Sequence, residues 1–139
     1  MSAVINPVRA WLRAEAFVVF AGAMAVWVAL DGGWWRLALL FFVPDISMAA
    51  YLIGPRIGAA AYNLAHSYTI PAVLAVTAAA LDHVPTILVG ALWTAHIGFD
   101  RVLGYGLKYP SGFSDTHLGT IGRTRTLSGP GDALSKVSS

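Results

Sequence analysis

The chain has 139 residues; 57% are hydrophobic, only 12% are charged, and the formal net charge is +2. Soluble domains carry about a quarter charged residues, so the composition argues against an ordinary water-soluble globule, and a single membrane domain is expected. With no cysteine, disulfides, thiolate metal sites, iron–sulfur clusters and a cysteine nucleophile are excluded as well.

In chain order, the first apolar stretch runs from Ala14 to Leu30. Arg9 and Arg13 precede it as they would in a signal peptide, but bulky Phe17, Phe20 and Trp27 and the lack of a small-x-small cleavage site argue for a retained span. Glu15 at its edge is read as snorkelling to the interface or capping the first turn. The second stretch covers Trp34 to Ile53, the third Ile57 to Leu81 and the fourth Pro85 to Leu107. Each approaches the ~20 apolar residues a spanning helix needs. Asp31-Gly32-Gly33, Gly54-Pro55-Arg56 and Asp82-His83-Val84 separate them, and this is turn chemistry. Short turns make neighbours antiparallel. The expected fold is therefore all-α: a polytopic membrane protein, a four-transmembrane-helix up-and-down bundle with an extended C-terminal tail.

Lys and Arg set the orientation. Arg9, Arg13, Arg56, Lys108, Arg123, Arg125 and Lys136 fall on one side, and Arg36 alone on the other, beside Asp31, Asp82 and His83. Both termini are expected in the cytoplasm, in a bacterial inner (plasma) membrane. Residues 1–13 form a cytoplasmic N-terminal segment, 14–107 the membrane domain, 108–125 a cytoplasmic tail ordered against the bundle, and 126–139 a flexible Ser/Gly-rich end. No basic patch with interleaved aromatics and no phosphate-cradling glycine loop occurs, so nucleic acid is not an expected partner. Trp34, Trp35, Tyr105 and Tyr109 suit interfacial belts.

The residues that carry the functional reading are polar ones inside the spans. Asp45 lies in the second, Asn63 and His66 in the third, and His96, Asp100 and Arg101 in the fourth. Each ionisable group in a span costs at least about 2.5 kcal/mol, so these must face the interior and find partners. Counted from the cytoplasmic helix ends, Asp45, His66, His96 and Asp100 lie at depths of roughly 14, 14, 17 and 10 Å. Three antiparallel helices thus bring two imidazoles and two carboxylates to one layer. His96 and Asp100 share a face at i, i+4; Tyr62 stands four residues before His66, and Pro44 and Pro71 can kink their helices toward a cavity.

That donor set suits a divalent transition metal: zinc, iron or manganese. Asp45, His66, His96 and Asp100 are the candidate ligands. Asn63 is placed to orient water or a ligand, and Asp115 or His117, in Ser114-Asp115-Thr116-His117 of a folded-back tail, to move protons at the cavity mouth. A bound metal would give a hydroxide nucleophile near neutral pH. The alternative is a structural polar layer in an accessory or scaffold subunit; bis-imidazole haem ligation by His66 and His96, or proton handling, comes third. His83 is read as a solvated loop residue. The expected partners are the bilayer and a lipid-like or amphipathic small molecule entering laterally. The face Gly58-Ala59-Ala60-Ala61 suits self-association, in a homo-oligomer or larger membrane complex.

The phrases YN-x-x-H-S-Y, H-I-G-x-D-R-x-L-G-Y-G-L-K and D-T-H-L-G, between roughly Leu37 and Gly122, resemble a family of small bacterial integral membrane proteins known only as a domain of unknown function. That resemblance implies a polytopic membrane protein and no particular activity. Pro44-Asp45, then His66, then His96 with Asp100 are also similar, in order, to the pattern of bacterial membrane-bound metal-dependent hydrolases. This likeness implies a hydrolase whose metal those residues hold.

Overall fold

The computed structural model describes residues 7–111 and 114–120. Five α-helices and one 3-10 helix make up almost all of it: α1 (Pro7–Ala29), α2 (Trp34–Leu40), the 3-10 helix (Val43–Leu52), α3 (Pro55–Ala65), α4 (Thr69–Ala80) and α5 (Val84–Leu103). A hairpin of β1 (Asp115–Thr116) and β2 (Gly119–Thr120) pairs Asp115 with Thr120 and Thr116 with Gly119 in the tail. The helical fold agrees with expectation, and four uninterrupted spans are not what is seen. Two stretches, Pro7–Ala29 and Trp34–Leu52, are long and apolar enough to cross a membrane.

Proline explains both interruptions. The expected span from Trp34 to Ile53 is α-helical only to Leu40 and resumes as a 3-10 helix with Pro44 in its first turn. The expected span from Ile57 to Leu81 is two helices. Pro71 has no N–H for the carbonyl four residues back, that of Ser67, so the helix cannot run through unbroken. The break falls at His66, Ser67 and Tyr68, where the Ser67 hydroxyl accepts the Thr69 N–H at 3.3 Å. What was expected as a kink is a full break, and it leaves His66 as the C-cap of α3.

Helix α5 is the central element, packed against α1 and against α4, while α3 packs on the 3-10 helix. Glycines let the backbones meet. A Cβ on Gly98 would stand 3.0 Å from the Phe20 nitrogen and 3.1 Å from the Ala16 oxygen of α1, and one on Gly90 would stand 3.0 Å from the Pro71 oxygen of α4. Trp27, Leu88 and Leu92 form a small core with Met24, Leu30, Leu37 and Phe41 around it. The outer surface is apolar: Leu52 is 92% exposed and Val76 71%. Exposed aliphatics on every helix suit contact with acyl chains better than contact with water.

At its C-terminus α5 closes in a Schellman motif. Gly104 sits in the left-handed region at φ 98°, its N–H donates to the Arg101 carbonyl at 3.1 Å, and the Tyr105 N–H donates to that of Asp100 at 2.8 Å. The chain then returns along the bundle. The Asn63 amide donates to the Lys108 carbonyl at 2.7 Å and accepts the Lys108 N–H at 2.6 Å. Lys108 also bridges to Thr116, which ties the hairpin to this return.

Candidate metal centre

Three elements bring the expected ligands together. Asp45 comes from the first turn of the 3-10 helix, His66 from the end of α3, and His96 and Asp100 from successive turns of α5. One ligand atom from each lies within 4.8 Å of all the others. His66 Nε2 stands 3.4 Å from Asp45 Oδ1 and 3.5 Å from Asp100 Oδ2; His96 Nε2 stands 3.4 and 3.7 Å from the same oxygens. The two Nε2 atoms are 3.3 Å apart.

These separations suit a metal ion. A tetrahedral ion with bonds of 2.0–2.1 Å has ligand–ligand edges of about 3.3–3.4 Å. Five of the six edges in this group measure 3.3–3.7 Å. Protonation fits too. His66 Nδ1 lies 2.9 Å from the Tyr62 carbonyl, which can only accept, so Nδ1 carries the proton and Nε2 turns a lone pair to the centre. Carboxylate oxygens and imidazole lone pairs converging on one point repel one another unless a cation or shared protons lie between them. This group could hold a metal ion.

Its surroundings are mostly apolar. Imidazoles His66 and His96 are 3% and 1% exposed, Asp100 is 16% and Asp45 36%. Phe41 and Phe42 meet the His96 ring edge-on, with centroids 5.2 and 6.4 Å away. Tyr62 stacks on His66 at 3.8 Å and its hydroxyl donates to Asp100 Oδ2 at 3.4 Å. His96 Nδ1 is buried without a hydrogen-bond partner among the described residues. A haem does not fit: imidazole nitrogens 3.3 Å apart leave no room for iron and its macrocycle between them.

The remaining predicted site residues lie elsewhere. Both polar atoms of the Asn63 amide are engaged by the Lys108 backbone, so it fastens the tail. His117 Nδ1 accepts the Leu107 N–H at 2.8 Å. Burial and the Arg101 guanidinium both push the imidazole below its ordinary value. The side chain of Asp115 lies outside the described residues. His83 is exposed at the residue that precedes α5, its Nδ1 2.7 Å from the Thr86 hydroxyl.

Sequence reasoning missed two supporting residues. Lys108, expected only as a cytoplasmic charge, is buried, with its Nζ 4.8 Å from the centre of the Tyr62 ring. Burial pushes its ammonium down and Asp100 opposes that shift. Tyr62 was legible only as the residue one helical turn before His66. A largely apolar cavity of about 530 Å³ is lined by Trp27, Leu40, Leu92 and Trp93 and by Pro44 and Ala65, the chain neighbours of Asp45 and His66.

The family model described as Domain of unknown function (DUF4260) matches residues 9–121. The chain belongs to that family. The DUF4260 match begins well before the resembling phrases and takes in all but the first two residues of α1, all four clustered residues and the tail hairpin. Neither a curated protein nor a solved structure matches the chain.

Proposed function

We propose that this DUF4260 protein is a four-span bundle in a bacterial inner membrane, with both termini cytoplasmic, that holds a zinc ion on Asp45, His66, His96 and Asp100. The observation that carries this reading is the near-tetrahedral set of distances among two imidazole nitrogens and two carboxylate oxygens. Zinc suits it because tetrahedral nitrogen and oxygen ligation is its usual geometry, and the dication balances two carboxylates in a low-dielectric setting.

The chemistry we assign is hydrolysis of a lipid-like or amphipathic substrate. Zinc in such a site lowers the pKa of bound water to about 7. Catalytic zinc keeps one position open, whereas four protein ligands close a structural site. Asp45 supports the open form: it is the most exposed of the four and stands on a ten-residue 3-10 helix, a conformation uncommon beyond a few residues and often a hinge. The apolar cavity beside Pro44, Ala65 and Trp93 is large enough to hold part of a hydrocarbon chain.

The closed set of four supports a second reading, in which the ion staples α3, α5 and the 3-10 helix in a non-catalytic scaffold. Metal analysis of detergent-purified protein tests the shared premise. About one zinc per chain is expected, lost in His96→Ala and kept in His83→Ala. A folded protein that binds no transition metal on titration overturns both readings. Zinc-dependent cleavage of a chromogenic ester in mixed micelles selects the hydrolase; zinc-dependent stability with no cleavage selects the staple.

A further inference from the structure

The cavity of about 530 Å³ has a direction. Arg36 and Pro85, in the first turns of α2 and α5, line one end, and Pro44, Ala65 and Trp93 the other. Along α5, the helical rise from Pro85 to Trp93 spans roughly 12 Å. Between these ends the walls are hydrocarbon, from Leu40, Leu88, Val89 and Leu92. The Trp93 N–H is spent on the Ala65 carbonyl at 2.6 Å, and the Trp27 N–H and Ser47 hydroxyl are buried and do not open into the cavity. Arg36 is the one charged residue of the lining. Its side chain is exposed, with the guanidinium carbon 5.6 Å from the centre of the Trp35 ring. Among the described residues no carboxylate pairs with that guanidinium and no hydrogen bond uses its five donors.

We infer that this cavity binds a single-chain fatty acid, with the carboxylate on Arg36 and the hydrocarbon chain running toward Pro44 and Ala65. Charge chooses the head. One guanidinium fork satisfies a carboxylate with two parallel N–H···O bonds, whereas a phosphate brings more oxygens than this lining has donors for. Volume chooses the chain. A cavity of about 530 Å³ is of the size that holds one drug-sized ligand, so a single hydrocarbon chain fits and a whole two-chain phospholipid does not. Position agrees with both. Arg36 follows the exposed Trp34 and Trp35, and such aromatic residues settle at headgroup level. The carboxylate therefore stays at the interface while the chain enters the hydrocarbon layer. The inference rests on the reading of this cavity as a hydrocarbon site, but it uses none of the four metal ligands and places the carboxylate at the end away from them.

Brominated amphiphiles test this on the full chain in phosphatidylcholine nanodiscs, in mildly alkaline buffer where the acid is ionised. Trp11→Phe, Trp34→Phe and Trp35→Phe remove three exposed indoles and leave Trp27 and Trp93, both of which line the cavity. A fatty acid brominated at the far end of its chain is expected to quench their fluorescence saturably. The brominated alcohol of the same chain binds about tenfold more weakly, and Arg36→Gln brings the acid down to the level of the alcohol. Val89→Phe, at a half-exposed position on the lining, fills the space and weakens both. Chelation of zinc leaves the affinity unchanged, which separates this site from a carboxylate bound at the metal. Quenching that does not saturate, equal affinity for acid and alcohol, tighter binding of an alkyl phosphate, or loss of binding on chelation overturns the inference. The comparison of acid with alcohol keeps Arg36 in place, so it decides the matter even if Arg36→Gln disturbs the fold. Zinc content measured on the same samples shows whether the metal centre stands or falls separately.

Discussion

Single atoms decide whether the centre can hold a cation. The proton on His66 Nδ1 is fixed by the Tyr62 carbonyl, so the side chain offers a metal its lone pair without a change of tautomer. Tyr62 acts twice here, through its ring on His66 and its hydroxyl on Asp100. Outer partners of this kind typically contribute 10- to 100-fold to metal affinity. At 3.4 Å the hydroxyl contact is long, so Tyr62→Phe is expected to weaken zinc binding about tenfold, at the lower end of that range. Competition with a chromophoric chelator measures it, and unchanged affinity would show that Asp100 needs no help. Asp45, His66, His96 and Asp100 were legible in the sequence because ionisable groups inside apolar stretches are conspicuous. Lys108 was not: burial of a lysine past the end of a helix depends on where the tail returns, and no local pattern records that.

Among the elements, α5 does the most positioning. It carries two of the four clustered residues, and its glycines admit α1 on one side and α4 on the other. Gly98 meets backbone atoms of α1, which cannot swing aside as a side-chain tip would. Gly98→Val is therefore expected to destabilise the bundle by about 1–3 kcal/mol, the usual cost of overpacking a close contact. Unfolding in mixed detergent by added SDS measures it; a neutral result would mean that α1 does not rest on α5. The stretches were readable from hydropathy and the turns from their Gly, Pro and Asp residues; Asp31 and Asp82 do take up left-handed turn conformations, at φ 53° and 51°. Conversion of one stretch into α2 plus a 3-10 helix was not readable. Proline announces a disturbance, but whether the chain kinks, tightens or breaks depends on what the freed backbone groups then meet. Here the break lets the His66 carbonyl accept from Arg101.

For the whole molecule, the tail is a strap held by a few polar contacts, and one of them titrates. His117 can accept the Leu107 N–H only when its Nδ1 is unprotonated. Its pKa is lowered from the ordinary 6.5 by burial and by Arg101, so the folded tail binds fewer protons than the released one. The resulting stabilisation is present in full above 6.5 and is lost as the pH falls below it. Amide exchange at Leu107 and Lys108 is expected to speed up between about pH 7 and 5 beyond the intrinsic trend, and to lose that excess in His117→Asn. A pH-independent tail would refute this. What the sequence determined by itself is one-dimensional: an apolar helical chain, the charge bias of its ends, the turns, and the four ionisable residues set inside apolar stretches, since each follows from composition or spacing. Tertiary structure alone decided which lone pairs meet at tetrahedral distances, that Asn63 holds the tail, and that Tyr68, Arg101 and His117 line one cavity. Those outcomes depend on side-chain direction and close packing between segments distant in the chain, and no spacing within one helix encodes them.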